Sequence, residues 1–204
     1  MQTQSAKYLP VMECFSSIQG EGYHTGKPAY FVRLQGCDVG CHWCDVKESW
    51  PMDEGELKSV DEIVTMTVSS GLNHVVVTGG EPTLYDLNEL TQKLKSHGLF
   101  LQLETSGTQQ ITGTWDWITL SPKKVKPPVE DSYQKAHELK VVIYNRSDFR
   151  FAVNEAAKVA PHCTLTMQPE WSKRDSISPE IVDFIKKDKR WRVSLQTHKF
   201  LGIP

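Results

Sequence analysis

The chain has no long apolar run. No stretch approaches the roughly 20 consecutive apolar residues of a membrane span, which argues against a membrane-embedded function. Met1–Pro10 is polar and lacks the apolar core of a secretory signal, so the expected compartment is the cytoplasm. Basic charge is not in surplus either: 23 Lys and Arg against 25 Asp and Glu leave a formal net charge of -2. A direct grip on nucleic acid needs a clustered basic face. The one basic run, Lys123-Lys124-Val125-Lys126, is short and followed by Pro127-Pro128, and most of it reads as a solvated loop. No low-complexity tract and no obvious internal repeat interrupts the 204 residues. The composition is that of a globular protein with a sizeable core, and one domain over 1–204 is expected.

Cysteine is scarce as well, with five in the chain. In a reducing compartment five cysteines do not suggest a disulfide framework, and clustered ones read as metal ligands or catalytic groups. Cys37, Cys41 and Cys44 fall within eight residues. Cys14 and Cys163 stand alone in strand-like contexts and read as small buried hydrophobes.

Apolar and β-branched runs predict strands at Val11–Phe15, Ala29–Leu34, His74–Val77, Phe100–Glu104, Trp117–Leu120, Leu139–Ile143, Thr164–Met167 and Arg192–Leu195. Helices lie between them. Ser59 with Glu62 forms a capping-box pattern ahead of a helix closed by Gly71. A second helix runs from Asp86 and Glu89 to His97-Gly98, and a third from Ser147 until Pro161 stops it. Ser178-Pro179-Glu180 opens a fourth, with proline at its first position. Alternating strands and helices predict a parallel α/β sheet. The helices are too few for an eight-fold barrel, and the gap from Glu104 to Leu120 is too tight for a crossover helix. The expected architecture is an abbreviated, incomplete parallel barrel.

Polar, glycine-bearing clusters follow almost every strand: Gly36–Asp45, Thr78–Pro82, Thr105–Gly107, Ser121–Lys123, Gln168–Glu170 and Gln196–Lys199. In parallel α/β folds the C-terminal strand ends form the mouth where ligands bind. Any one cluster is compatible with a simple turn; six on one rim argue for an active site.

Cys37, Cys41 and Cys44 have the spacing C-x3-C-x2-C. Three thiolates can hold three irons of a four-iron cube, which ordinarily takes four cysteines. The fourth iron then has an open position that an amino-acid amine and carboxylate can chelate. The competing reading is a structural zinc site completed by His42 or His24, although His42 adjoins Cys41 and joint ligation is awkward. An unligated trio is a weaker alternative.

This spacing resembles the signature of the radical S-adenosylmethionine superfamily, and Thr78-Gly79-Gly80-Glu81-Pro82 resembles its glycine-glycine-glutamate motif. Trp43 fills an aromatic slot common in that loop; a packed loop aromatic is an equal alternative. The resemblance narrows to the 7-carboxy-7-deazaguanine synthase (QueE) family. It rests on Phe15-Ser16-Ser17-Ile18-Gln19-Gly20-Glu21-Gly22, Phe31–Cys37, Glu104-Thr105-Ser106-Gly107, Ser121-Pro122-Lys123 and the tail Gln196–Pro204. It implies a truncated barrel, a homodimer, a 4Fe-4S cluster, S-adenosylmethionine as a regenerated cofactor, and an external one-electron reductant such as flavodoxin or ferredoxin. The implied reaction is ring contraction of 6-carboxy-5,6,7,8-tetrahydropterin to 7-carboxy-7-deazaguanine with loss of ammonia, on the route to queuosine. In it, an electron from the cluster generates a 5′-deoxyadenosyl radical, which takes a hydrogen from the substrate.

Carried over position by position, the resemblance implies that Ile18, Gln19, Gly20, Glu21, Arg33, Thr78 and Pro204 meet the pterin. Arg33 would pair with the substrate carboxylate, against the alternative of a structural ion pair. The implied cofactor residues are Trp43, Gly80, Glu81, Glu104, Ser121, Pro122, Lys123 and Gln168; a strand-end cap is the alternative for Glu104. The carboxylate of Pro204 would take hydrogen bonds from the pterin, unless Phe200, Leu201 and Ile203 simply cover the core. One departure stands out. The family usually has threonine after the Cys-Asp pair, as a magnesium ligand, and here Val46 follows Cys44-Asp45. Valine offers no side-chain oxygen to a hard cation; magnesium is either absent or held by substrate, water and groups such as Asp45. Two rival functions remain: activation of a glycyl-radical partner, which the Gln19 and tail motifs oppose, and a zinc-stabilised binding module.

Overall fold

The computed structural model describes residues 7–204; most of the polar start, up to residue 6, lies outside the described residues. One mixed sheet organises the chain. Its strands are β1 (Tyr8–Ile18), β2 (Pro28–Leu34), β3 (Glu56–Ser59), β4 (His74–Gly79), β5 (Phe100–Thr105), β6 (Trp117–Leu120), β7 (Glu138–Ile143), β8 (Thr164–Pro169) and β9 (Trp191–Val193). Their order is β3-β1-β2-β4-β5-β6-β7-β8-β9. From β2 to β9 every pairing is parallel, whereas β1 runs antiparallel to both β2 and β3. β3 and β9 are the two edges of this order and do not pair, so the barrel is unclosed, as expected. The antiparallel edge departs from the all-parallel expectation.

Helices α1 (Val60–Ser69), α2 (Asn88–Ser96), α3 (Glu130–Lys135), α4 (Ser147–Ala156), α5 (Arg174–Lys187) and α6 (Thr197–Leu201) accompany the sheet. The α1 capping box is present: Glu62 N donates to Ser59 Oγ at 3.2 Å, and Ser59 N to Glu62 Oε2 at 2.7 Å. No helix spans the segment from β5 to β6, as its length required. The fourth expected helix starts earlier than its Ser-Pro-Glu signal, with Pro179 inside α5. Pro179 lacks an N–H and breaks one helical bond. Ile177 and Ile181, buried on either side of it, hold the helix on the sheet regardless.

Alternation along the central strands places the site. On β5, Leu101 and Leu103 join an outer apolar layer with Ile63 of α1 and Leu90 and Leu94 of α2. On β7 and β8, Leu139, Val141, Ile143, Leu165 and Met167 pack with Ala152 of α4 and Ile181 of α5. Fully burying each such side chain stabilises by about 1.5–3 kcal/mol. The intervening residues are polar yet buried: Gln102, Thr119, Glu138, Lys140, Thr166 and Gln168. The barrel therefore has an apolar shell and a polar lumen.

Candidate active site

Loops after the parallel strands enclose a cavity of about 930 Å³, its open mouth included. Cys37, Cys41 and Cys44 line it from the loop after β2, and Gly79 and Gly80 from β4. Ser121 and Lys123 come from the loop after β6, Gln168 from β8, and Gln196 and Lys199 from beyond β9. The rim expected from the polar clusters exists.

Burial pushes the Cys37 thiol up, and backbone N–H groups of Val39 and Gly40 pull it the other way. Burial also raises Cys41, opposed by the Lys123 ammonium. Three soft sulfurs on one cavity, two of them beside groups that stabilise thiolate, fit a cluster whose irons are held separately. Among the described residues no three His, Cys, Asp or Glu side chains are placed to hold a single metal. His24 packs at the opposite strand ends, edge-on to His74, Phe100 and Trp117. His42 turns its ring to Tyr144, with centroids 5.1 Å apart.

The two glycines of Thr78-Gly79-Gly80-Glu81 answer a close backbone approach. A Cβ on Gly79 would lie 2.1 Å from Leu34 O, and one on Gly80 2.0 Å from Gly36 O. Gly80 N donates to Leu34 O at 3.0 Å and Glu81 N to Gly36 O at 2.8 Å, which ties the β4 rim to the cysteine loop. The Glu81 side chain lies behind this rim, 1% exposed. Its carboxylate accepts from Thr83 N (3.0 Å), Thr83 Oγ1 (2.7 Å) and Ser106 N (2.8 Å), and from the hydroxyls of Thr105 and Ser106. It braces the loops after β4 and β5. Lys123, whose ammonium burial disfavours, donates to Ser121 Oγ at 2.8 Å and lies 5.6 Å from the Trp43 ring centroid. Pro122 faces a neighbouring groove with Trp43. Gln168 Oε1 accepts from Ser194 Oγ at 2.8 Å.

A second cavity, about 780 Å³, adjoins the first. Ile18, Gln19, Gly20, Glu21, Arg33, Thr78 and Pro204 all line it, as do Asp45 and Val46. Stacked Phe15 and Phe31, centroids 5.0 Å apart, form its apolar wall. Arg33 donates through Nε to Glu13 Oε1 at 2.7 Å, so its structural ion pair exists alongside its place in the cavity. Glu21, Glu104 and Lys140 line both cavities and form their common wall. Lys140 Nζ donates to Glu21 Oε2 at 2.6 Å and Glu104 Oε2 at 2.8 Å. Burial works against the Lys140 charge, yet Glu104, Glu21 and Glu138 hold its ammonium well above the usual lysine range. Burial would raise Glu21, but Lys140 and the Gln196 amide bring it down to about 2. Glu104 goes the other way: burial raises it, Glu138 and Glu21 add to this, and Lys140 only partly compensates.

The tail closes the site. Thr197 N and Oγ1 donate to Gly20 O at 2.8 and 2.9 Å, and Ser17 Oγ to Pro204 O at 2.8 Å. A Cβ on Gly20 would come within 2.2 Å of His198 Nδ1. Gln196 Nε2 reaches both Glu21 Oε1 (2.8 Å) and Asp45 Oδ2 (3.0 Å), and Lys199 Nζ pairs with Asp45 Oδ2 at 2.5 Å.

Lys140, Glu138 and Gln102 were not among the expected site residues. Their signal lay in the alternation of Gln102-Leu103-Glu104, within one expected strand, and of Glu138-Leu139-Lys140, at the start of another.

Residues 31–167 match the Radical SAM superfamily. The chain is 53% identical over 201 residues to the 7-carboxy-7-deazaguanine synthase of Flavobacterium psychrophilum, covering 98% of this chain and 95% of the relative. It is 47% identical to that of Synechocystis, covering 95% and 93%. The crystal structure of QueE from Escherichia coli superposes with a TM-score of 0.84 at 32% identity, covering 94% of this chain and 95% of that one. On these matches the chain belongs to the radical SAM superfamily and, within it, to the 7-carboxy-7-deazaguanine synthase family.

Proposed function

We propose that the chain, as a single domain over 1–204, converts 6-carboxy-5,6,7,8-tetrahydropterin to 7-carboxy-7-deazaguanine, with release of ammonia. The observation that carries this reading is the pair of cavities divided by Glu21, Glu104 and Lys140. Cys37, Cys41 and Cys44 would hold the 4Fe-4S cluster, with Gly80, Ser121, Lys123, Trp43 and Gln168 around S-adenosylmethionine. Bound together, these cofactors supply hydrogen-abstracting radical chemistry. The chain's own residues orient the substrate and keep water out. Arg33 meets the pterin carboxylate, Phe15 and Phe31 cover one side of the pocket, and Gln19, Thr78 and Pro204 meet the polar edge. Glu81 acts through the loops it braces. Glu104, more easily protonated than Glu21, is the carboxyl suited to exchange a proton at the dividing wall.

Magnesium fits less well. Val46 brings no oxygen to the second cavity, and Asp45 is engaged by Lys199 and Gln196. The reading further implies an external one-electron donor of the flavodoxin or ferredoxin type, a homodimer and a cytoplasmic setting. Anaerobic incubation of the reconstituted protein with the tetrahydropterin, S-adenosylmethionine and a reductant tests it. The expected result is 7-carboxy-7-deazaguanine with one ammonia per turnover. A fully loaded enzyme that cleaves S-adenosylmethionine but leaves the pterin intact would overturn the reading.

A further inference from the structure

A chain of buried side chains reaches from the barrel floor to the wall between the cavities. Gln102 on β5 has no exposed surface. Its Nε2 donates to Glu104 Oε1 at 2.7 Å, and its Oε1 lies 2.9 Å from His74 Nε2. Chemistry fixes each orientation. When Glu104 is ionised it can only accept, and in that state the amide NH2 faces Glu104 and the amide oxygen faces His74. Nε2 of His74 must then carry hydrogen. Burial lowers His74 and favours its neutral ring, and the contact with the Gln102 amide oxygen then places the ring hydrogen on Nε2.

Glu104 needs such support. It faces Lys140 and Glu138 from β7, and Glu21 from the loop after β1. Lys140 is shared between Glu104 and Glu21. Gln19 Nε2 approaches Glu104 Oε1 only to 3.3 Å. Gln102 is thus the short donor that serves no other carboxylate, and a hydrogen bond to the charged form favours that form.

We propose that Gln102, itself oriented by His74, is a positioning residue that holds Glu104 as a carboxylate turned toward the wall between the cavities. The proposal rests on the reading of Glu104 as a ligand-facing group of the proposed reaction. His74 and Gln102 line neither cavity; Gln102 Nε2 also reaches Thr119 Oγ1 at 3.4 Å, and its contact with a residue that lines both cavities is the one to Glu104.

Infrared titration of the protonated-carboxyl band in the holoenzyme follows Glu104 without turnover, once the band is assigned by its loss in Glu104→Gln. Gln102→Leu is expected to move the midpoint up by about one pH unit, a roughly tenfold change in the ionised fraction. The acidic limb of the kcat/KM profile should move with it. His74→Leu should shift both in the same direction by less, because the freed amide can turn its oxygen to the carboxylate. His74→Gln keeps a donor at that place and should return the parent midpoint. If Gln102→Leu does not fold, the two His74 variants carry the same test. An unmoved midpoint in Gln102→Leu, or His74→Gln shifted as far as His74→Leu, overturns the proposal. A shifted midpoint with an unmoved rate profile supports the network and overturns the role of Glu104 in turnover, so the two failures are distinguishable.

Discussion

Replacing Lys140 by Met should lower stability and make it rise more steeply as pH falls from 7.5 to 5.5. Lys140 is 5% exposed and neutralises two carboxylates at 2.6 and 2.8 Å, with Glu138 nearby. In the parent, Glu21 is held at about 2 against an ordinary 4.5, a difference corresponding to about 3 kcal/mol of stability. The sign follows from linkage: a depressed carboxyl stabilises the fold above its ordinary value and loses that contribution as pH falls toward 2. Without the ammonium, Glu21 and Glu104 are buried carboxyls with no cation between them, and burial pushes both upward. The folded variant then binds more protons than the unfolded chain, so it gains stability as pH falls from 7.5 to 5.5. Breaking a buried pair on one side costs about 3–5 kcal/mol. For a chain of this size that corresponds to a fall in Tm of roughly 10 °C near neutral pH. Thermal melts of cluster-loaded parent and Lys140→Met at pH 7.5 and 5.5 measure both effects. Adding Glu21→Gln should recover part of the loss by removing one uncompensated carboxylate. A Lys140→Met protein that melts like the parent, with the same trend in pH, would refute the reasoning.

Alanine at Cys37, Cys41 or Cys44 is expected to abolish the visible iron–sulfur absorption and all turnover. Cys14→Ala and Cys163→Ala should keep both, since burial places those thiols at about 11 and about 12, outside the ligand chemistry; iron analysis decides. The parent should show little stimulation by magnesium, and Val46→Thr should gain binding of manganese as a spectroscopic stand-in, read by electron paramagnetic resonance. An absolute magnesium requirement in the parent would contradict this. Gly20→Ala drives a methyl into His198 and should displace the tail, raising KM for the pterin tenfold or more while iron content stays unchanged.

Much of this was legible in the residues because the signals are local. The cysteine spacing, the Ser59–Glu62 capping box and the runs that became β4 and β8 each depend on a few neighbouring side chains. The short elements were not legible. The four residues of β3 pair with Tyr8–Val11 across almost fifty positions, and nothing in Glu56-Leu57-Lys58-Ser59 announces that partner. α5 was misjudged because a local proline rule competes with the burial of Ile177 and Ile181, which only the folded sheet supplies. The polar lumen was hidden for a similar reason. Val141-Val142-Ile143 reads as a strand buried on both faces, yet Lys140 on the same strand faces carboxylates from two other segments, Glu21 and Glu104. Glu81 shows the limit at the site itself: its motif marks the position, but besides the nearby Thr83 its hydrogen-bond partners are Thr105 and Ser106, at the end of the next strand.

The hooks between the tail and the loop after β1 also carry a consequence in time. Thr197 and Gly20 are 177 residues apart, and Ser17 and Pro204 are 187 apart. Synthesis runs from the N-terminus, and contacts of such separation form after the segments between them have been made. The cysteine loop and most of the rim therefore exist on a nascent chain well before Gln196, Lys199 and Pro204 can shut the side of the chamber. Enclosure by the tail is therefore a late event relative to the synthesis of the three thiols it shields.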